Sequence, residues 1–232
     1  MYLENFLYVA MVIAIIIAVW AQIKVSTTFK KYSKVATATG RTADEVARMI
    51  LDNNGLHNVK IEKVSGTLTD HYDPRSNTLR LSASVYGNKS AAAIGVAAHE
   101  AGHAIQHATG YGPVVLRSKM VPITSFASRS TWIIIVLGAL FLGLEILLGY
   151  YIMLFGIALF AITTAFQLVT LPCEFDASKR ALAEMDRTGL YSSGELAISK
   201  KVLSAAALTY VAALVVSALQ LLRLITSITR RR

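Results

Sequence analysis

The sequence holds a single cysteine, Cys173, among its 232 residues. An intrachain disulfide is therefore excluded, and nothing calls for an oxidising compartment. Charge is also scarce: 16% of residues are charged while 54% are hydrophobic, and mean hydropathy is +0.51. A water-soluble domain of this length is normally more polar, so membrane spans are sought first. Acidic residues are the rarer sign, 14 against 23 Lys and Arg. The basic excess nevertheless lacks the aromatic-interleaved array that grips nucleic acid, which removes nucleic acid from the partners. No internal repeat or low-complexity segment is present.

What is there begins with an apolar run over residues 6–23, long enough for ~30 Å of hydrocarbon at ~1.5 Å per residue. No Lys or Arg precedes it and no small-residue cleavage site follows, so it reads as a retained anchor rather than a cleaved signal. Lys24, Lys30, Lys31, Lys34, Arg41 and Arg48 come next. That cluster suits anionic headgroups and places residues 24–130 in the cytoplasm, with the N-terminus outside.

Thr42-Ala-Asp-Glu45 is a capping box opening a short amphipathic helix over 42–54. Leu79, Leu81, Ala83 and Val85 alternate with polar residues, the period of a strand. Asp73-Pro74-Arg75-Ser76-Asn77 supplies a turn before it, predicting a small hairpin. Ser90 can cap a helix over 91–108, closed by Gly110. Its many Ala and Gly residues let neighbouring helices come close. Residues 114–130 look like an amphipathic connector. Residues 131–172 are apolar for about two spans, with a fold-back near Gly149-Tyr150-Tyr151. Residues 174–201 are polar and helical in pattern, and 203–222 form a last apolar stretch. Four spans put Arg230-Arg231-Arg232 outside, against the charge rule; four spans are still expected.

The chemistry sits in "AAHEAGHAIQH", 97–107. His99-Glu100-Ala101-Gly102-His103 matches H-E-x-x-H, whose histidines share one helix face and can reach one metal. The chance expectation of this pattern in such a composition is about 0.004. A catalytic zinc typically takes three protein ligands and leaves one position for water, which it acidifies. Glu100, beside the first histidine, suits the general base that takes the water's proton. The competing view is a polar cluster inside a helix bundle, which is costly without partners. His107 lies ~12 Å along the axis from His99 and cannot share its metal on a straight helix. The extended metzincin pattern is absent. Glu174, where a polar helix follows the apolar stretch, is a candidate third ligand; an ordinary acid near a helix N-terminus is the alternative.

Together with "LPCEFDASKRA", "DHYDP" and "LRLSASVYG", this motif closely resembles the YugP-type neutral zinc metallopeptidases of bacterial membranes, over nearly the whole chain. The resemblance implies a gluzincin-like site: one Zn2+ per chain held by His99, His103 and Glu174, with Glu100 as base. The layout is also similar to the CAAX prenyl proteases and the heat-shock membrane protease. Those carry an aspartate four residues after the ligand glutamate, where this chain has Ser178. Asp176 or Ser178 must then orient a zinc histidine. In gluzincins an edge strand before the zinc helix takes the substrate as an added strand, a role that falls by resemblance on 78–86, with Leu79, Arg80, Leu81 and Ser82. His71, Tyr72 and Tyr86 are candidates for the developing oxyanion.

The expected fold is mainly α and integral to the membrane, four transmembrane helices carrying a small cytoplasmic zincin-like α+β metallopeptidase domain. Its expected parts are an anchor (1–23), a catalytic segment with the H-E-x-x-H helix (24–130), a transmembrane hairpin (131–172), a cytoplasmic helix with Glu174 (173–202), and a last transmembrane helix with a basic tail (203–232). The function this implies is zinc-dependent endopeptidase action on protein or peptide segments at a bacterial cell membrane, with the active site facing the cytoplasm and a duty in membrane-protein quality control by analogy. A zinc-binding but non-catalytic membrane scaffold is the alternative. A site-two type intramembrane protease is disfavoured, since no L-D-G-like motif lies in the apolar runs.

Overall fold

The computed structural model describes residues 2–229; the arginine tail 230–232 lies outside them. In chain order the elements are α1 (Tyr2–Tyr32), α2 (Ala43–Asn53), β1 (Lys60–Val64), β2 (His71–Asp73), β3 (Thr78–Ser82), α3 (Ala91–Ala108), α4 (Gly112–Gly143), α5 (Leu148–Arg187) and α6 (Ser193–Thr229). They form two compact units.

One unit comprises Leu116–Leu171 together with the chain's start up to Trp20 and its end from Tyr210. Helices α1, α4, α5 and α6 are each long and apolar enough to cross a membrane. Ile16, Ile133, Val136 and Leu147 expose more than half of their surface, a disposition that water penalises and hydrocarbon does not. Inside, Ile135, Met153, Ile157, Leu224 and Ile228 make a small core. The α4 and α5 backbones approach closely because Gly138 faces Met153: a Cβ at 138 would stand 2.6 Å from the Met153 amide nitrogen. Small residues at such crossings are the usual means of packing apolar helices.

The chain breaks between α4 and α5 at 144–147, not at Gly149, which is already helical. The residues expected as a separate connector, 114–130, run unbroken into the apolar part of α4. Helix α5 likewise continues past Pro172 to Arg187, and the turn before α6 spans 188–192.

The other unit comprises Ala21–Val115 and Pro172–Thr209. Its core joins Val46, Ile50 and Leu51 of α2, Leu79 and Leu81 of β3, Ile94, Ala97, Ala98 and Ala101 of α3, Ala181 and Met185 of α5, and Val202 of α6. The capping box of α2 is complete: the Thr42 hydroxyl accepts from the Glu45 amide, and the Glu45 carboxylate accepts from the Thr42 amide at 2.9 Å. Ser90 caps α3 by accepting from the Ala93 amide at 3.2 Å.

The hairpin of β2 and β3 turns as its residues dictate. Asp73 accepts from the Arg75 amide at 3.0 Å and the Ser76 hydroxyl at 2.8 Å, while Asn77 takes the left-handed conformation at φ 49°, which asparagine tolerates. The sheet has a third strand that the pattern did not announce. β1 pairs with β3 in parallel, Lys60 opposite Thr78, so the order is β1-β3-β2. This corrects the expectation of an edge strand at 78–86. β3 is central: Thr78–Arg80 have strand neighbours on both sides, while Leu81 and Ser82 pair with β1 alone. Leu79, Leu81 and Ser82 are fully buried, and Arg80 is bonded to Glu62 and Asp73 at 3.2 Å each. Leu79 and Arg80 are therefore not open to an added strand, and the Ser82 amide is taken by Asp70 at 2.7 Å.

Candidate active site

Two elements build the site. Helix α3 carries His99 and His103 one turn apart, their ring centroids 4.7 Å from each other and nearly perpendicular. Helix α5 brings Glu174, whose Oε2 lies 3.3 Å from His99 Nε2 and 3.5 Å from His103 Nε2. All three ligand atoms fall within 4.8 Å of one another. A direct charge-assisted hydrogen bond would be about 2.7–2.9 Å. Two ligands ~2.0–2.1 Å from one tetrahedral ion are instead about 3.3–3.4 Å apart. The observed spacings match the second case, so the donor set fits zinc.

The imidazoles are anchored at their other nitrogens. His99 Nδ1 lies 3.0 Å from the Ser178 hydroxyl. His103 Nδ1 lies 2.9 Å from the Gln106 side-chain oxygen. Gln106, fully buried, donates through Nε2 to the Cys173 carbonyl and to Asp176, each at 2.8 Å. Asp176 also accepts from Arg180 at 2.6 Å. Both residues weighed for orienting a histidine are thus present, Ser178 directly and Asp176 through Gln106. Gln106 had not been singled out, although its place three residues after His103 sets it on the same helix face.

Glu100 is buried beside the two histidines, 8% exposed. Burial holds its carboxyl above the ordinary range, the charges of His99 and His103 pull it down, and the carboxylates of Glu174 and Asp70 add to the rise. Asp70 is a second residue that sequence reasoning missed. It accepts from the Ser82 amide at 2.7 Å and the Ser82 hydroxyl at 3.0 Å, pinning the end of β3. Burial likewise raises its carboxyl, against the pull of those two bonds.

The three oxyanion candidates are placed differently. The Tyr72 ring packs on His107, centroids 5.6 Å apart, and its hydroxyl donates to Asn77 at 2.8 Å. Tyr72 and His107 therefore form one wall beside the zinc helix. His71 is exposed, with Nδ1 on the Thr69 carbonyl at 2.9 Å, and adjacent strand residues point to opposite faces. Tyr86 packs on the unit's core, with the Lys63 ammonium 5.9 Å from its ring centroid.

A family model described as "Putative neutral zinc metallopeptidase" matches residues 7–229. The chain belongs to this family. It is 51% identical over 206 residues to the protein named "Putative membrane protease YugP" of Bacillus subtilis (strain 168), covering 89% of each chain. No solved structure matches. Among the described residues this family member has a cluster that could hold a metal ion and four helices long and apolar enough to cross a membrane.

Proposed function

We propose that this protein is a membrane-embedded zinc endopeptidase that hydrolyses peptide bonds with Glu100 as general base. The observation that carries the reading is the convergence of His99 Nε2 and His103 Nε2 on Glu174 Oε2, at 3.3 and 3.5 Å, with all three ligand atoms within 4.8 Å of one another and the Glu100 carboxyl next to them on α3.

His99, His103 and Glu174 would hold one ion. Bound there, zinc would supply Lewis acidity for the attacking water and the scissile carbonyl. Glu100 takes the attacking water's proton and returns it to the leaving amine. Its burial keeps its proton affinity above that of a surface glutamate, which suits a group that both accepts and donates near neutrality. Ser178 fixes the rotation of the His99 ring. A peptide would lie along β2, the end strand of the sheet on the side away from β1, where Tyr72 touches His107 of the zinc helix.

The chain would cross the bilayer with α1, α4, α5 and α6. The lysines following the apolar part of α1 support a cytoplasmic catalytic unit, by the rule that basic loops stay inside. Its substrates would be protein segments at or near the membrane, and membrane-protein quality control is the duty that fits.

Purified wild type and Glu100→Gln, both shown to carry zinc, should be offered an unfolded protein such as casein in detergent. Cleavage by wild type alone supports the proposal. Equal cleavage by the two proteins rejects Glu100 as base, and full zinc loading without turnover toward casein or any membrane-derived peptide favours the non-catalytic scaffold.

A further inference from the structure

We propose that Gln106 is the positioning residue of His103: clamped by Cys173 and Asp176, it fixes the imidazole in the tautomer that presents a bare Nε2 beside Glu174. The inference rests on the zinc reading above and goes on to say what prepares one ligand for it.

The amide cannot be turned around. Both groups at Gln106 Nε2, the Cys173 carbonyl and the Asp176 carboxylate, only accept hydrogen bonds, and each lies at 2.8 Å. The NH2 end must face them, so the oxygen end faces His103 Nδ1 at 2.9 Å. An amide oxygen only accepts, so Nδ1 must carry the proton. In a neutral imidazole the lone pair then belongs to Nε2, the nitrogen 3.5 Å from Glu174. The opposite tautomer would set two lone pairs against each other in a buried place, with Gln106 fully enclosed. Metal ligation needs an unprotonated nitrogen, so the ring is preset for it.

Asp176 acts through Gln106, and is itself held. Arg180 donates to it at 2.6 Å, and the Arg180 guanidinium lies over the Tyr111 ring, 5.6 Å from its centroid. The Tyr111 amide in turn bonds the Gln106 carbonyl at 3.0 Å. The clamp thus joins the end of α3, the segment before α4, and α5. His99 has a lighter arrangement, one serine hydroxyl.

Zinc affinity of the full chain in detergent, measured by competition with a chelator of known affinity, tests this alongside the melting midpoint of the metal-free protein. Gln106→Leu keeps the volume and removes the polar atoms. It should weaken zinc binding about 10- to 100-fold, beyond anything its metal-free midpoint accounts for. Asp176→Ala should weaken binding in the same direction, while Asp176→Asn, which still offers an acceptor, should retain most of it. If Gln106→Leu does not fold, the half-buried Asp176 position decides by the contrast of Ala with Asn. Wild-type zinc affinity in both Gln106→Leu and Asp176→Ala would overturn the proposal. Failure of the wild-type chain itself to bind zinc would instead sink the peptidase reading.

Discussion

Gly102 of α3 lies directly against the backbone of α5 at Ala177: a Cβ there would sit 2.6 Å from the Ala177 carbonyl oxygen and 3.3 Å from its Cα. The glycine inside the H-E-x-x-H motif is thus a spacing device. It lets the two helices close until Glu174 and Ser178, on either side of Ala177, reach His103 and His99. Gly102→Ala has no flexible side chain to displace, only backbone. It should push the helices apart, lower the melting midpoint and cost at least tenfold in zinc affinity, the scale on which ligand geometry is felt. Gly112→Ala, where a Cβ meets nothing within 4 Å, should leave affinity unchanged; parallel losses in both variants would remove the spacing argument.

Zinc should stabilise the folded chain by mass action, because the ligands come from helices far apart in sequence and meet only when folded. At a free concentration ~100 times Kd the gain is about 2.7 kcal/mol. Differential scanning fluorimetry in detergent, titrated with zinc, should show a rising midpoint for wild type and a flat one for Glu174→Gln. A rise of equal size in Glu174→Gln would mean that zinc binds elsewhere.

Much of this arrangement is legible in the sequence. The i, i+4 histidines imply one helix face, Thr42–Glu45 and Ser90 mark helix starts, and the 73–77 turn marks the hairpin, all because these signals are local. What stayed hidden depends on distant partners. Strand β1 reads Lys-Ile-Glu-Lys-Val, with little alternation, and earns its place only by pairing with residues 18 positions later. That pairing makes β3 central rather than an edge. The turn at 144–147 holds one charged residue, Glu145 in the left-handed conformation at φ 60°, a local signal that the apolar run around it masks, and Gly149, the expected bend, is used instead for contact with the α4 backbone. Gln106 has no intrinsic mark of function; its meaning comes from Asp176, 70 positions away.

The β2–β3 turn should respond to acid. Asp73 is held down to about 2 from an ordinary 3.8, first by the Ser76 hydroxyl, then by the Arg75 amide and Arg80. A carboxyl depressed in the folded state lends stability above its unfolded pKa and loses it as pH falls through the folded value. The window is therefore between about 4 and 2. Amide hydrogen-exchange protection over 71–82, taken relative to the intrinsic exchange rate at each pH, should fall across that window in wild type. Asp73→Asn should be less protected already at neutral pH, and its protection should change less with pH. An unchanged acid response in the variant would mean that another carboxylate governs the turn.

His99 should be tunable at position 178. Its Nδ1 lies 3.0 Å from the Ser178 hydroxyl, a neutral partner where the similar membrane peptidases have an aspartate. Ser178→Ala leaves that nitrogen without its partner and should weaken zinc binding about 10-fold or more. Ser178→Asp places a charged acceptor there, which raises the basicity of the ligating nitrogen and should tighten binding relative to wild type. The same change donates more electron density to the metal, so the acidic limb of the pH–rate profile should move up even as affinity improves. Paired measurements of zinc affinity and pH–rate profiles on the three proteins check both. Affinities in the order Asp above Ser above Ala support a hydrogen bond that orients the ligand; if Ala equals Ser, the 3.0 Å contact has no hold on the ring.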